Sequence, residues 1–468
     1  MSHATTTDLY EATMALSYLR EDMTAEATFS LFVRDLPRGR GFLVSAGLEP
    51  VLDFLAGFEV TEDDARDFAT ALGRGPGDVR PLVGLRFEGE VRAVPEGRVV
   101  LAGEPLIEVT APLPQAQIVE TWLLSQISHQ TAVASKAARC VLAAGDHPVV
   151  DFSLRRSHGP EAGMQAARVG AMVGFAGTSN VAAALRWGTR ASGTMAHSYI
   201  EAFGDEETAF LAFARGTPGP VTLLVDTYDT PNGVMTAAQV LNTLRRGAGS
   251  AVRLDSGDLD GLARRSREIL DRTGLGGVTV IASGGLDEYR IDHLVRSGAP
   301  IDVYAVGTKV GTSSDAPYLD SAYKLVEYDG APVMKLSAAK VTAPGRKQIL
   351  RADGVDDVMA LADEEVREGR EPVLRTVMSA GRRTTEPDTL AAAHRRFRAD
   401  LDALPGSARR IHDPRPPVPA VSAPLAALTS DLRGRLERDA DRRRAEWAGR
   451  QAAAPPGGSA HTRSRRRR

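Results

Sequence analysis

The feature that most constrains the fold lies in the middle of the chain, where a short apolar run repeatedly stops at a polar cluster. Runs at 148–152, 222–225, 251–254, 278–282 and 301–306 are rich in β-formers and alternate with stretches of helical apolar spacing. In one of these stretches, 258–272, Leu259, Leu262, Ala263, Ile269 and Leu270 form a stripe. Strands alternating with helices specify βα units and a parallel sheet. The number of units favours a closed or nearly closed α/β barrel over an open sheet. In such a barrel the chemistry gathers where strands end and loops begin. The polar clusters fall there: Asp151 to Arg156, Gly177 to Asn180, Gly193 to Ser198, Asp226 to Thr230, Arg253 to Asp258, Ser283 to Gly285, and Val306 to Thr308.

Different patterns flank this core. Residues 8–20 read as a short helix, with Asp8 as N-cap and Glu11 reaching back in a capping box. Strands are expected at 27–33, 85–91 and 99–109, and one long amphipathic helix at 114–144 through Ile118, Trp122, Leu123, Ile127 and Ala132. After Tyr323 come short strands, a hairpin at Asp329-Gly330 and a loop at 342–347, a segment expected to return to the N-terminal domain. The expected divisions are 1–145 (an N-terminal α/β domain with its linking helix), 146–322 (the barrel), 323–414 (the returning segment) and 415–468 (a charged tail). Within the tail, 430–450 reads as a charged helix and 461–468 as disordered.

Composition narrows the function classes. The 468 residues carry a formal net charge of −3, which gives no global argument for nucleic acid or a membrane as partner. No apolar stretch approaches the roughly 20 residues needed to span a bilayer. A single cysteine, Cys140, excludes an intrachain disulfide, and the first residues lack an apolar signal core. Both point to a reducing, cytoplasmic setting. The arginine-rich end reads as a solvated appendage and is assigned no function.

The clusters differ in what they specify. Arg253, Asp255 and Asp258 surround a strand-to-helix loop whose amides suit an anion, and the two acids suit Mg²⁺ or sugar hydroxyls. Asp226 and Asp229 converge only if the chain turns between them; Asp229 reads best as a cap. Two tandem glycine turns, Ser283-Gly284-Gly285 and Val306-Gly307-Thr308, resemble the phosphate sites common near the end of barrels. Neither has the three-glycine dinucleotide pattern with its distal acid. Phe152 beside Arg155 and Arg156 suits a flat anionic ring, or is simply core. His197, taken alone, is most simply a structural or loop histidine. There is no Cys/His metal spacing, and no Gly-x-Ser-x-Gly elbow with a plausible triad, so metal and serine hydrolases are poorly supported.

Taken in order, these segments resemble the nicotinate phosphoribosyltransferases of the type II phosphoribosyltransferase family. The resemblance runs from Thr7-Asp8-Leu9-Tyr10-Glu11 through the clusters above to Lys335-Leu336-Ser337 and Pro344-Gly345, nearly everything but the tail. It implies an irregular, TIM-like α/β barrel and a second α/β domain built from both chain ends. It also implies a homodimer with shared active sites. The implied reaction joins nicotinate to 5-phosphoribosyl 1-diphosphate, coupled to ATP hydrolysis and requiring Mg²⁺.

The resemblance also assigns roles. Phe152 and the partner subunit's Tyr10 would sandwich the pyridine ring, and Arg253 would hold nicotinate or the donor. Asp255 and Asp258 would take ribose hydroxyls or Mg²⁺, and Gly284, Gly285, Gly307 and Thr308 would cradle the 5′-phosphate. Arg155, Lys324 and Lys335 would neutralise diphosphate, and Asp226 would stabilise an oxocarbenium-like transition state. His197, whose imidazole is nucleophilic near neutral pH, would accept phosphate from ATP. Ser179 stands where nicotinamide-using relatives carry an acid, and a neutral Ser suits nicotinate. Gly285 stands where many relatives carry an acid. The competing readings are a nicotinamide phosphoribosyltransferase and a catalytically silent ligand-binding relative.

Overall fold

The computed structural model describes residues 4–336 and 342–453, with side chains through 448. Ser337 and the segment 461–468, both invoked above, lie outside the described residues.

The apolar runs of the middle segment form one six-stranded parallel sheet. Its order is Gly177–Thr178, Val149–Asp151, Val303–Val306, Thr279–Ala282, Ala251–Leu254 and Thr222–Leu224. A parallel bridge from Thr178 to Ala191 extends one edge. No ladder joins Ala191 to Thr222–Leu224 among the described residues, so the barrel is irregular and its seam is spanned by side chains. Helices at Pro160–Val173, Thr230–Thr243, Leu259–Arg272 and Glu288–Arg296 cover the outside, and the interior is packed with Val, Leu and Ala. Because the strands are parallel, every expected cluster falls at one end.

The second layer is an antiparallel sheet drawn from both chain ends. Glu26–Val33 pairs with Pro105–Pro112 on one side and with Ser321–Tyr328 on the other. Glu90–Ala93 then joins Pro105–Pro112 to Arg375–Ser379. A tight turn, with Asp329 at φ +49° and Gly330 at φ +70°, closes the hairpin onto Ala331–Pro332. A smaller sheet follows, ordered Glu371–Pro372, Lys347–Ala352, Asp356–Leu361 and Ala420–Val421. The helix Glu120–Ala144 joins the two cores: Leu123, Ile127 and Ala132 pack in the N-terminal core, while Val133, Ala134, Ala137 and Ala138 pack in the barrel core. No helix among the described residues is long and apolar enough to cross a membrane.

Several local expectations are corrected. The first helix, Leu9–Arg20, has Asp8 at its N-cap, but the Asp8 side chain makes no capping bond. Glu11 does not reach back. Its carboxylate accepts from the Thr7 hydroxyl, and from the amide (2.9 Å) and hydroxyl (2.6 Å) of Thr121. That bond explains a second departure. The Thr121 amide goes to Glu11 rather than to a helix carbonyl, and the expected long helix breaks at Val119 into Leu113–Ile118 and Glu120–Ala144. The expected strand 85–91 is only Glu90–Ala93, because Gly84 takes φ +79° and Gly89 lies flat against the Thr110 carbonyl, where a Cβ would sit 2.5 Å from the oxygen. The run 99–109 is cut by Gly103 at φ +79°, so Val99–Val100 pairs with Leu43–Val44 in a separate ladder. The charged helix is longer than expected, running over Ala423–Ala453, with Leu425 and Leu432 buried.

Glu11 makes a testable point about pH. Burial pushes its carboxyl up to about 7, more than the hydrogen bonds from Thr121 and Thr7 pull it down. A carboxyl raised in the folded state contributes stability that is fully present below its unfolded pKa of about 4.5 and is lost as pH rises through 7. Glu11→Gln should therefore flatten the fall in melting temperature between those limits and stabilise the protein by about 1–3 kcal/mol at pH 8. Parallel melting curves of wild type and variant would contradict this.

Candidate active site

The barrel mouth is organised around one arginine. Arg253 is the third residue of Ala251–Leu254 and is 8% exposed. Its Nε donates to Ser283 Oγ (2.9 Å), and Nη2 donates to Asp255 Oδ1 (2.8 Å). Its Nη1 donates to Thr194 Oγ1 (3.1 Å) and the Met195 carbonyl (3.3 Å). These bonds engage four of its five N–H donors and leave one on Nη2 for a ligand. The guanidinium lies 5.6 Å from the centre of the Phe152 ring. Because Thr194 and Met195 belong to the loop leaving the barrel edge, the arginine also stitches the open seam.

Asp255 is pushed up by burial, but hydrogen bonds from Arg253 and Ser283 and the charge of Arg253 outweigh this and hold it below its ordinary value. It is an anion at neutral pH. Ser283 Oγ lies 2.5 Å from Asp255 Oδ1, so one hydroxyl accepts from Arg253 and donates to the acid. Asp226 Oδ2 accepts from the Asp255 amide and the Ser256 hydroxyl, both at 2.9 Å. Its Oδ1 is buried with no hydrogen-bond partner among the described residues. Asp229 caps the helix Thr230–Thr243, accepting from the Asn232 amide at 3.0 Å, as expected of the plainer reading.

His197 opens the helix His197–Phe203, and its Nδ1 lies 3.1 Å from Thr227 Oγ1. The contact crosses the seam from the first edge to the last strand. With a proton on Nδ1 donated to Thr227, Nε2 keeps its lone pair. Thr227 sits inside a cluster visible in the sequence, but nothing in the spacing of Asp226 and Asp229 marks the hydroxyl between them as the histidine's partner.

The glycine turns are shaped by contact. At Gly284 φ is +83°, and a Cβ would stand 1.6 Å from the Asp255 carbonyl oxygen, so no other residue fits. Gly285 takes φ +66° with open space around it. A Cβ on Gly307 would lie 3.1 Å from the Phe152 carbonyl oxygen. Thr308 is exposed, as are Asp258, Ser179 and Arg155. Asp258 stands at the N-cap of Leu259–Arg272 without a capping bond, and Arg155 lies in the turn Leu154–Arg156 and makes no ion pair among the described residues. Asp151 ties two strand ends: Oδ1 accepts from the Ser153 amide (2.8 Å) and Oδ2 from the Thr178 hydroxyl (2.6 Å).

Three expected site residues lie elsewhere in the same chain. Tyr10 is on the first helix, its hydroxyl hydrogen-bonded to Glu120 and the residue 46% exposed. Lys324 lies across from Ser30 in the antiparallel sheet, within electrostatic reach of Glu120, and Lys335 is exposed beyond Ala331–Pro332. Tyr10 and Lys324 share Glu120 as a neighbour, and all three lie outside the barrel. Cys140 is fully buried and burial pushes its thiol up, so it offers no nucleophile.

The chain is similar to proteins of one known family. Residues 5–128 match the family model described as the nicotinate phosphoribosyltransferase (NAPRTase) N-terminal domain, and residues 148–342 match that of the nicotinate phosphoribosyltransferase (NAPRTase) family. The chain is 46% identical over 412 residues to a Mycobacterium tuberculosis protein named nicotinate phosphoribosyltransferase pncB2, covering 87% of this chain and 89% of that one. It is 40% identical to a Bacillus subtilis nicotinate phosphoribosyltransferase, covering 77% of each. A crystal structure of human nicotinic acid phosphoribosyltransferase superposes with a TM-score of 0.79 at 28% identity, covering 91% of this chain and 99% of that one.

Proposed function

The chain belongs to the nicotinate phosphoribosyltransferase family, and from that premise we propose that it transfers a phosphoribosyl group to nicotinate in NAD biosynthesis, with ATP as co-substrate. One observation carries the reading for the base: a buried guanidinium with a free Nη2 donor lies at the Phe152 ring. A planar anionic ring stacks on Phe152 and presents its carboxylate to Arg253. Nicotinate N1 attacks C1′ of the donor, the C1′–O bond to diphosphate breaks, and diphosphate leaves with the electron pair.

Charge developing on the ribosyl carbon is stabilised by the carboxylates of Asp226 and Asp255, held in a partly buried site where they need not reorganise. The turns at Gly284, Gly285, Gly307 and Thr308 take the 5′-phosphate, and Asp258 a ribose hydroxyl. Ser179, uncharged and exposed at the mouth, does not repel the carboxylate of the base. Arg155 stands ready for diphosphate. Tyr10, Lys324 and Lys335, carried outside the barrel, complete the mouth of a second copy in a homodimer with shared sites.

Mg²⁺ fits as a companion of the donor rather than as a caged ion. Among the described residues no group of three or more His, Cys, Asp or Glu side chains is arranged to hold a metal. Asp226 nevertheless has a buried oxygen without a partner, and Mg²⁺ is commonly held by one or two carboxylates plus phosphates. Asp226 and the adjoining Asp255 are the residues that would hold it, and when bound it would neutralise the departing diphosphate. ATP enters through His197: Nε2 attacks the γ-phosphorus, ADP leaves, and phosphohistidine is later hydrolysed to free the imidazole and inorganic phosphate.

Turnover with the two bases side by side tests the reading. Nicotinate should be preferred over nicotinamide by about 100-fold in kcat/KM or more, because nicotinamide leaves the arginine without an anion. A preference for nicotinamide would overturn the choice of base. No donor consumption with either base would favour a silent ligand-binding relative.

A further inference from the structure

Two neighbouring strands, Thr279–Ala282 and Val303–Val306, pair in parallel with Ala282 opposite Tyr304. The glycine turns therefore leave the sheet side by side. Beyond the first turn, Asp287 caps the helix Glu288–Arg296, its Oδ1 accepting from the Arg290 amide at 2.9 Å. Beyond the second, Lys309 extends its amine back to the other oxygen, Nζ to Asp287 Oδ2 at 2.6 Å. The pair is the direct side-chain link between the two turns at the solvent edge, with the Lys309 side chain 41% exposed and that of Asp287 15%.

The inner side of both turns is already anchored. Lys136, on the helix joining the two cores, contacts Glu288 Oε2 (2.5 Å) and Asp315 Oδ1 (2.9 Å), and Arg40 donates to Asp315 Oδ2 (2.9 Å). Glu288 follows Asp287, and Asp315 follows the short helix that carries Lys309. The inner tie thus fixes where the two segments go once they have left the rim. It leaves the tip of the first turn unheld, where Gly285 is exposed and nothing lies within 4 Å of the place a Cβ would take. Burial pushes the Asp287 carboxyl up, but the Lys309 bond, the Arg290 amide and the charges of Lys309 and Lys136 outweigh this and hold it below its ordinary value.

We propose that the Lys309–Asp287 ion pair sets the spacing of the two glycine turns and so pre-organises the cradle for the donor's 5′-phosphate, both members acting as positioning residues. This rests on the phosphoribosyl-transfer reading above. The rival role for Lys309 is direct contact with the phosphate, with Asp287 only parking the amine. The two roles give opposite results when Asp287 loses its charge.

The test is steady-state kinetics of the full-length protein at saturating nicotinate, with 5-phosphoribosyl 1-diphosphate varied. Lys309→Met and Asp287→Asn should each raise the donor KM about 5- to 20-fold, with kcat within about threefold of wild type. The nicotinate KM should not move. Lys309→Arg, which keeps the pair, should stay close to wild type. The double variant should be no worse than the weaker single, because both remove one interaction. A fall in donor KM for Asp287→Asn would overturn the proposal in favour of direct contact, and an unchanged donor KM in Lys309→Met would overturn it outright. If wild type itself transfers nothing to nicotinate, the functional reading fails instead. Lys309→Met leaves the helix cap intact, so a folding defect in Asp287→Asn alone does not shield the proposal.

Discussion

Gly284→Val is expected to lower the rate of nicotinate mononucleotide formation by at least about 1,000-fold, close to what removal of the cradle would do. The reason is contact rather than flexibility. The Cβ of any other residue would stand 1.6 Å from the Asp255 carbonyl oxygen, and φ is +83°. The turn must move away from the strand Ala251–Leu254, carrying Ser283 with it. Ser283 holds Arg253 and Asp255 together, so the proposed base and ribose sites are lost in the same displacement. The fold survives at a cost of about 2–4 kcal/mol, since the clash is local to the rim. Gly285→Ala alters the same cradle without the clash and should lower the rate far less. Its φ of +66° is unfavourable but nothing lies within 4 Å of its Cβ, so the folding cost is about 1–2 kcal/mol of backbone strain. Rates and melting temperatures of the two variants check this, and a Gly284→Val protein with wild-type turnover would show that the turn is not where the donor sits.

Arg253→Met should lower kcat/KM for nicotinate by about 1,000-fold, or roughly 4 kcal/mol of transition-state stabilisation. Methionine has a similar length and keeps the packing against Phe152, but four hydrogen bonds vanish. Asp255 loses its counter-charge while still half-buried, which is far more costly than losing an exposed pair. The loop at Thr194 and Met195, two residues before His197, loses its tether across the seam. Arg253→Lys should recover only part of the loss, because a single ammonium cannot reach Ser283, Asp255 and the loop at once. If Arg253→Met bound and converted nicotinate as well as wild type does, the carboxylate would have to be read by another group.

Much of the barrel was legible because its signal is periodic. Runs ending at Phe152, Val225, Leu254, Ala282 and Val306 are strands to within two residues, and the stripe from Leu259 to Leu270 lies on a helix of the same extent. The hairpin was legible because Asp-Gly tolerates positive φ at both positions. What escaped was set by partners far away in the chain. The break at Val119 depends on Glu11, about 110 residues earlier, capturing the Thr121 amide. Nothing in the sequence marks Lys136, Arg139 and Glu288, yet all three are buried because Glu288, on another helix, pairs with both cations. Thr227 was invisible as the partner of His197 because the two meet only when the seam closes. The acids and glycines of the rim were named from strand-end clustering, whereas the arginine's central place came from contacts no spacing encodes.

The most direct test of the whole account compares wild type with His197→Ala in a single assay that counts nicotinate mononucleotide, diphosphate, ADP and inorganic phosphate. Wild type should give nicotinate mononucleotide and diphosphate in equal amounts, ADP released with them, and label from γ-phosphate-labelled ATP on the protein in an acid-labile form. His197→Ala should show no ATP hydrolysis, no protein label and no stimulation by ATP, with weak transfer surviving at high donor because Arg253, Asp255 and the glycine turns are intact. ATP hydrolysis and labelling that persist in the variant would contradict the phosphohistidine role.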